Sequence, residues 1–138
     1  MTRIGEPAVR GWFIVEDGAT HLLATRCTAC GALWFPPRGG HCRNPRCGAT
    51  GLTETRLSRR GTVWSYTNAC YPPPAPYVAA DPYTPITLAA VALPEGLVVL
   101  GQTIPGLTVA DLRVGMEVEL TSGPLADGAT VWMWGPPS

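Results

Sequence analysis

The fold is decided by Cys27-Thr-Ala-Cys30-Gly31 and Cys42-Arg-Asn-Pro-Arg-Cys47-Gly48, in which eleven residues lie between Cys30 and Cys42. Each segment carries two cysteines and ends in glycine. Two short loops of this kind can place four thiolates tetrahedrally around one Zn²⁺. Glycine after the second ligand permits the positive φ that a chain turning over a metal needs. The pattern predicts a zinc ribbon with four ligands: Cys27, Cys30, Cys42 and Cys47.

Other interpretations of these cysteines stay open. Disulfides need an oxidising compartment, whereas residues 1–7 lack the apolar run of a secretion signal, so we expect a cytoplasmic protein. His41 adjoins Cys42 and is an alternative fourth ligand. Iron would give a redox-active centre like that of rubredoxin, although such centres usually have two matched Cys-x2-Cys loops. Four thiolates leave no coordination position for water, so we expect one structural Zn²⁺ per chain.

Composition favours a mostly β protein without a membrane span. The 138 residues are 46% hydrophobic, which is enough for a modest core. Sixteen glycines and fifteen prolines indicate many turns and short strands. No apolar run approaches the length of a transmembrane helix. The chain contains no lysine, which excludes Schiff-base catalysis by its own side chains.

Charge is distributed unevenly along the chain. Residues 26–60 carry a net charge of +6 and residues 61–138 a net charge of −5, while the whole chain is neutral. Four thiolates around Zn²⁺ would contribute −2 to the first of these segments. Because guanidinium groups bind phosphates and carboxylates by paired hydrogen bonds, the arginines are either an anion-binding surface or a solvated face.

Strand signals divide the chain into two domains, 1–60 and 61–138. Residues 12–15 and 20–26 are predicted to be two strands joined by Glu16-Asp17-Gly18, in which Asp-Gly indicates a hairpin, and this hairpin leads into the first cysteine loop. In residues 62–67 we expect Trp64 and Tyr66 to share one face. Residues 116–120 predict an inward Met116, Val118 and Leu120, with Glu117 and Glu119 facing water. Further strands are predicted at 86–93, 97–103 and 130–134.

The order of the later elements predicts a five-stranded OB-fold. Thr108 and Asp111 resemble the cap of a short helical turn between the third and fourth of these strands. Three strands, a short helix and two strands form the small Greek-key barrel called the OB-fold. The predicted fold is therefore mostly β, with an N-terminal rubredoxin-like zinc ribbon followed by a five-stranded OB-fold barrel.

The combination of motifs resembles a known family. It comprises Cys-x2-Cys-Gly, Phe35-Pro-Pro-Arg38 and residues 61–67, and the likeness runs from about His21 to Trp134 and includes residues 112–118. The family is the zinc-ribbon/OB-fold acyl-CoA-associated family, long labelled a domain of unknown function. Residues 58–66 and 71–77 look most like the domain attached to hydratases of bacterial steroid side-chain degradation. The four-residue spacer between Cys42 and Cys47 departs from the two residues found in many relatives.

This resemblance implies an accessory role. Domains of this kind associate with a thiolase-like retro-aldolase that cleaves the side chain of a steroid acyl-CoA. The resemblance thus implies that this chain is one partner in a hetero-oligomer and that it is attached to a hydratase in the full-length protein. It also implies an acyl-CoA substrate at the interface between the partners. Residues that would contact CoA or an acidic partner are Arg38, Arg59 and Arg60.

The residues themselves agree with a chain that is not catalytic alone. We find no convincing nucleophile with a base, acid–base pair or open metal. Cys70 is interpreted as a small apolar filler. Asp81 and Tyr83 are either turn residues or groups that reach a partner's active site.

Residues 71–85 hold six of the fifteen prolines and three tyrosines, a composition suited to protein recognition. The predicted partner-binding residues are Tyr71, Tyr77, Tyr83, Trp64 and Tyr66.

A single-stranded nucleic-acid-binding module is the alternative function. Zinc ribbons and OB-folds both bind nucleic acid, and arginines beside Trp64 and Tyr66 would suit stacked bases. Against this, the chain is neutral and its barrel half is acidic, whereas single-strand binders run a basic groove along the barrel.

Overall fold

The structure, a computed structural model, describes residues 6–69, 85–125 and 128–137. Within these residues the chain forms strands and no helix, which confirms the mostly β prediction. None of the described segments is a helix with the length and apolar content needed to cross a membrane. The strands are β1 (Phe13–Glu16), β2 (Ala19–Cys27), β3 (Leu33–Trp34), β4 (Leu52–Arg56), β5 (Arg60–Ala69), β6 (Ile86–Ala92), β7 (Val98–Thr103), β8 (Glu117–Pro124) and β9 (Thr130–Gly135).

The N-terminal hairpin forms where the sequence predicts it. Asp17 and Gly18 both have positive φ, 51° and 76°, as the two central residues of a type I′ turn require. This turn pairs Glu16 with Ala19 and sets the register of β1 against β2. Strand β2 then continues past β1 and pairs with β3 and β4, so one strand connects the hairpin to the cysteine loops.

The second half of the described chain is a closed five-stranded barrel. Its strand order is β5-β6-β7-β9-β8, and pairing between β5 and β8 closes it. All contacts are antiparallel except the short parallel pair of β7 and β9. Val118 and Leu120 are fully buried and Met116 packs against the core, as the alternation in β8 predicts. The predicted barrel is confirmed.

The short helical turn expected between β7 and β8 forms as a hydrogen-bonded turn and does not extend into a helix. Asp111 accepts a hydrogen bond from the Thr108 backbone N–H at 2.9 Å, and Thr108 Oγ1 accepts one from Ala110. These are the contacts of a helix cap. The chain does not continue as a helix, because Leu112 enters the core and Gly115, with a φ of 90°, turns toward β8.

One hydrophobic core joins the hairpin, the ribbon and the barrel. Its centre is an aromatic cluster in which the Trp132 ring lies 5.7 to 6.1 Å from the rings of Trp12, Phe13 and Phe35. Gly101 leaves room for Trp132, since a Cβ at that glycine would lie 2.8 Å from the indole Nε1. The indole N–H donates to the Leu100 carbonyl at 3.1 Å. Phe35, from the ribbon, packs edge-on against Trp12 and Trp132 and so connects the ribbon to the barrel.

Trp132→Ala is expected to lower the free energy of unfolding by about 3–5 kcal/mol, because it opens a cavity among three aromatic rings. Urea denaturation followed by circular dichroism measures this change. Trp64→Ala is the matched control: that indole is 64% exposed, so its loss should change stability by less than about 0.5 kcal/mol. An equal loss of stability in the two variants would contradict the conclusion that Trp132 packs the ribbon against the barrel.

Candidate metal centre and interaction surfaces

Both cysteine loops are shaped by backbone hydrogen bonds and a glycine. Cys27 is the last residue of β2, and its carbonyl accepts a bond from the Gly31 N–H at 2.9 Å. The second loop, between β3 and β4, closes when Cys47 and Gly48 donate to the Asn44 carbonyl. Gly31 and Gly48 have φ values of 78° and 65°. The predicted left-handed conformation after each second cysteine is therefore present.

The four predicted cysteine ligands meet at one point. Their Sγ atoms all lie within 4.8 Å of one another, with Cys27 and Cys47 3.7 Å apart and Cys30 and Cys42 3.5 Å apart. A tetrahedral zinc site with Zn–S bonds of about 2.3 Å has S···S edges of about 3.8 Å. The cluster thus has the size that a tetrathiolate metal site requires. His41 is exposed and does not belong to this group of potential ligands among the described residues.

Electrostatics within the cluster also fit a bound cation. Backbone N–H groups, foremost that of Cys30, donate to the Cys27 sulfur and lower its pKa to about 7. Burial raises the pKa of Cys42 to about 12. Since metal ligation requires thiolates, a buried Cys42 thiolate needs a positive charge beside it. All four cysteines are free, so the structure favours the metal site over disulfides.

Asn44 organises the longer second loop. Its backbone N–H donates to Cys42 Sγ at 3.4 Å, and its side-chain N–H lies 3.9 Å from Cys30 Sγ. Its Oδ1 accepts a bond from the Arg46 N–H at 3.1 Å. These bonds place N–H dipoles against two sulfurs and keep four intervening residues compatible with the cluster. Sequence reasoning missed Asn44; the signal was an Asn-Pro pair, which favours a turn.

Three arginines of the basic segment are engaged within the molecule. Arg56 pairs with Glu16 at 2.6 Å, at the hairpin. Arg59 pairs with Glu119 at 3.2 Å and donates to the Thr20 and Leu120 carbonyls. Arg60 also pairs with Glu119, at 3.3 Å. Arg59 and Arg60, predicted to contact CoA or an acidic partner, thus lie at the junction of hairpin and barrel; their role as contacts stays a prediction.

Glu119 corrects the expectation for β8. Its side chain is only 13% exposed and does not face open water. Two guanidinium groups cover it, which offsets the cost of removing a carboxylate from solvent. The period-two pattern identified its face correctly but not the arginines that pack over that face.

Four arginines of the basic segment have no ion-pair partner among the described residues. All four are exposed, and they surround the cysteine loops rather than the barrel. They are Arg26, Arg38, Arg43 and Arg46. The positive surface is therefore smaller than the sequence indicates and is concentrated near the metal centre.

A β-bulge separates Trp64 from Tyr66. The register of β5 against β6 shifts between Val63 and Ser65, so Trp64 is an extra residue in the ladder. Its side chain is 64% exposed, whereas Tyr66 packs against the core. The prediction that both rings share one face was wrong. The aromatic pair on which base stacking by the alternative nucleic-acid module depended is absent from this strand.

Trp64 instead borders an outward-facing apolar surface. Ser65, the residue after Trp64, pairs with Ala90 of β6, and Ala90 pairs with Leu100 of β7. Two residues further along β6, Ala92 pairs with Val98 of β7. Leu100 is 57% and Val98 49% exposed. Sequence reasoning missed both, because β7 is apolar on each of its faces. We call this surface, formed by Trp64, Ala90, Ala92, Val98 and Leu100, the outer apolar face.

The remaining predicted residues between Ala69 and Pro85 lie outside the described residues. They are Cys70, Tyr71, Tyr77, Asp81 and Tyr83.

Comparison with known proteins matches both parts of the chain. A family model described as the rubredoxin-like zinc ribbon domain of ChsH2 matches residues 17–53, and one described as the C-terminal OB-fold domain of ChsH2 matches residues 54–122. A DUF35 domain-containing scaffold protein of Methanocaldococcus jannaschii is 31% identical over 80% of this chain and 73% of its own length. Its namesake in Pyrococcus furiosus is 35% identical over 73% and 68%. A solved structure titled Ltp2-ChsH2(DUF35) aldolase superposes with a TM-score of 0.65, 29% identity and 84% coverage of both chains.

Proposed function

This chain belongs to the ChsH2 family of DUF35 zinc-ribbon and OB-fold proteins, and we propose that it is an accessory subunit or domain that binds and supports a thiolase-like aldolase. The observation that carries the proposal is the match over 84% of both chains to a chain of the Ltp2-ChsH2(DUF35) aldolase. The scaffold names of the two archaeal relatives support the same role.

The outer apolar face supports protein binding as the mode of action. An exposed indole and two exposed aliphatic side chains on one surface of a sheet are typical of the anchors found in protein–protein interfaces. These residues lie on the ladder of β5, β6 and β7, so the barrel presents them on a rigid backbone. A preformed surface loses little conformational entropy on binding. We therefore assign the outer apolar face to the aldolase, together with the predicted tyrosines of residues 71–83.

Zinc is the proposed metal of the four-cysteine cluster. Cys27 and Cys42 are buried, and the sulfur separations suit tetrahedral coordination. With all four positions taken by thiolates, the ion would supply shape and folding free energy rather than a reactive water. The four cysteine side chains then fix the shape of the ribbon, and the aldolase partner carries out bond cleavage. Cysteines that bind a metal and form no disulfide suit the reducing conditions of the cytoplasm, where we place this protein.

For the substrate, we propose a steroid side-chain acyl-CoA that the complex cleaves by a retro-aldol reaction. The motifs at residues 58–66 and 71–77 support this choice, because they resemble the hydratase-attached domains of steroid degradation. Attachment to a hydratase in the full-length protein follows from the same resemblance.

Co-expression with a thiolase-like aldolase similar to Ltp2 tests the proposal. The expected result is a complex that survives affinity purification and gel filtration, and an aldolase whose activity depends on this chain. The chain alone should release no product from a steroid whose side chain ends in a β-hydroxyacyl-CoA thioester. Turnover by the isolated chain, or failure of the two proteins to co-purify, would overturn the accessory role.

A further inference from the structure

The first half of β7 has no neighbouring strand on one of its two edges. β7 pairs with β6 from Val98 to Gln102, but with β9 only at Gln102 and Thr103. Within the described part of the chain, residues 98–101 therefore form an open edge of the barrel, which we call the open edge of β7. Two of these residues, Val98 and Leu100, also belong to the outer apolar face.

Hydrogen bonds show which backbone groups point to this edge. The Leu93 N–H donates to the Leu97 carbonyl at 2.8 Å, across the turn that joins β6 to β7. Bonded and non-bonded pairs alternate along an antiparallel ladder, so the odd-numbered residues of β7 bond to β6 and the even-numbered residues point away from it. The Trp132 indole N–H, which donates to the Leu100 carbonyl, agrees with this alternation. The backbone groups of Val98 and Leu100 are thus directed outward.

Three backbone groups at the open edge of β7 have no hydrogen-bond partner among the described residues. They are the N–H and C=O groups of Val98 and the N–H group of Leu100. The Leu100 carbonyl is bonded to the Trp132 indole at 3.1 Å, which ends the row. Unpaired groups along a strand edge are a template for pairing with another strand.

The side chains of β7 do not protect this edge. Proteins usually guard an open strand edge with charged residues, proline or a bulge. Strand β4, which pairs only with β2, follows this rule, because Glu54 and Arg56 are exposed on it. Strand β7 carries no charge and no proline, and its register with β6 is regular. Since Val98 and Leu100 are about half exposed, an apolar surface borders the unpaired groups.

We propose that an extended segment of the aldolase adds to the open edge of β7 as a further strand. This inference rests on the proposed function and names the way in which the same surface binds its partner. The aldolase is the occupant because the open edge is continuous with the outer apolar face, to which Val98 and Leu100 both belong. The added backbone bonds to the unpaired groups of these two residues. Its alternate side chains are apolar and extend the outer apolar face.

Amide hydrogen exchange, read by NMR on the isotopically labelled chain, tests the proposal. In the free chain, the N–H groups of Val99 and Gly101 should exchange slowly because they bond to β6, whereas those of Val98 and Leu100 should exchange fast. In the complex with the aldolase, exchange at Val98 and Leu100 should slow by at least about tenfold, as each N–H gains a hydrogen bond. The internal control is the Glu54 N–H, which by the same alternation points to the open edge of β4 and should not change.

Leu100→Pro separates strand addition from side-chain packing. Proline removes the outward N–H of Leu100 and leaves the hydrogen bonds between β6 and β7 in place. The matched control is Leu100→Ala, which removes the apolar side chain and keeps the N–H. We expect the proline variant to bind the aldolase about tenfold more weakly than the alanine variant. Melting temperatures verify the fold of both variants, and the exchange measurement decides the question if the proline variant does not fold.

Strand addition and the accessory role fail in different ways. If the complex forms but exchange at Val98 and Leu100 is unchanged, strand addition is overturned and the accessory role stands. Equal affinity of the Leu100→Pro and Leu100→Ala variants overturns it as well. So does equal slowing at Glu54, because that result shows a general gain of stability. Slow exchange at Val98 and Leu100 in the free chain at high concentration would overturn the choice of the aldolase and assign the edge to a second copy of this chain. Failure of the two proteins to co-purify is a separate result that overturns the proposed function itself.

Discussion

We expect Cys42→Ser to abolish stoichiometric binding of the proposed zinc ion and to unfold the ribbon, because a neutral hydroxyl replaces one of the two buried thiol groups of the cluster. Structural zinc contributes an apparent free energy of about 10–16 kcal/mol to small domains. The ribbon strands β3 and β4 are short, and most of their residues are exposed or half-buried, so packing cannot replace the metal. Strand β2 carries the loss into the hairpin and the shared core. We expect the melting temperature to fall by at least about 10 °C.

Metal analysis by mass spectrometry and thermal unfolding measure the two effects. His41→Gln is the matched control, since it changes the adjacent side chain and removes the alternative ligand. It should retain one zinc ion per chain and the wild-type melting temperature. Full zinc content in Cys42→Ser combined with loss in His41→Gln would contradict the four-cysteine site. A visible absorption band of the purified protein would indicate iron in place of zinc.

Local signals predicted those parts of the fold whose cause lies within a few residues. Asp17-Gly18 determines the turn type by itself, so the hairpin could be predicted from these two residues. Each cysteine loop carries its ligands and its glycine together, so the cluster could be predicted without knowledge of the rest of the chain. The alternation of β8 fixed its inward face for the same reason.

Pairing between residues far apart in the chain determines the features that could not be predicted from the sequence. The bulge at Trp64 arises from the register between β5 and β6, and no residue of β5 indicates that register by itself. Glu119 is covered by arginines sixty residues earlier in the chain. β7 has apolar residues on both faces, so its pattern did not identify the exposed side chains. The candidate docking face therefore emerged only from the barrel.

Leu100→Asp and Trp64→Ser together are expected to weaken binding of the aldolase by at least about a hundredfold. Central interface residues commonly contribute 2 kcal/mol or more, which is about thirtyfold each. The aspartate adds the cost of burying an unpaired charge against the partner. Both side chains are more than half exposed in the isolated chain, so its stability should change by less than about 1 kcal/mol. Surface plasmon resonance on the immobilised aldolase measures the affinity.

Val114→Asp separates loss of the docking face from a general effect of surface charge. This valine is 70% exposed, like Leu100 an aliphatic side chain in solvent, but it lies in the turn between β7 and β8. The control variant should bind the aldolase within about twofold of the original chain. Since zinc content and melting temperature should be the same in both variants, a difference in affinity isolates the contact itself. Equal affinity of the Leu100→Asp/Trp64→Ser variant and of Val114→Asp would mean that the aldolase binds elsewhere, leaving residues 71–83 and the ribbon as the candidate surfaces.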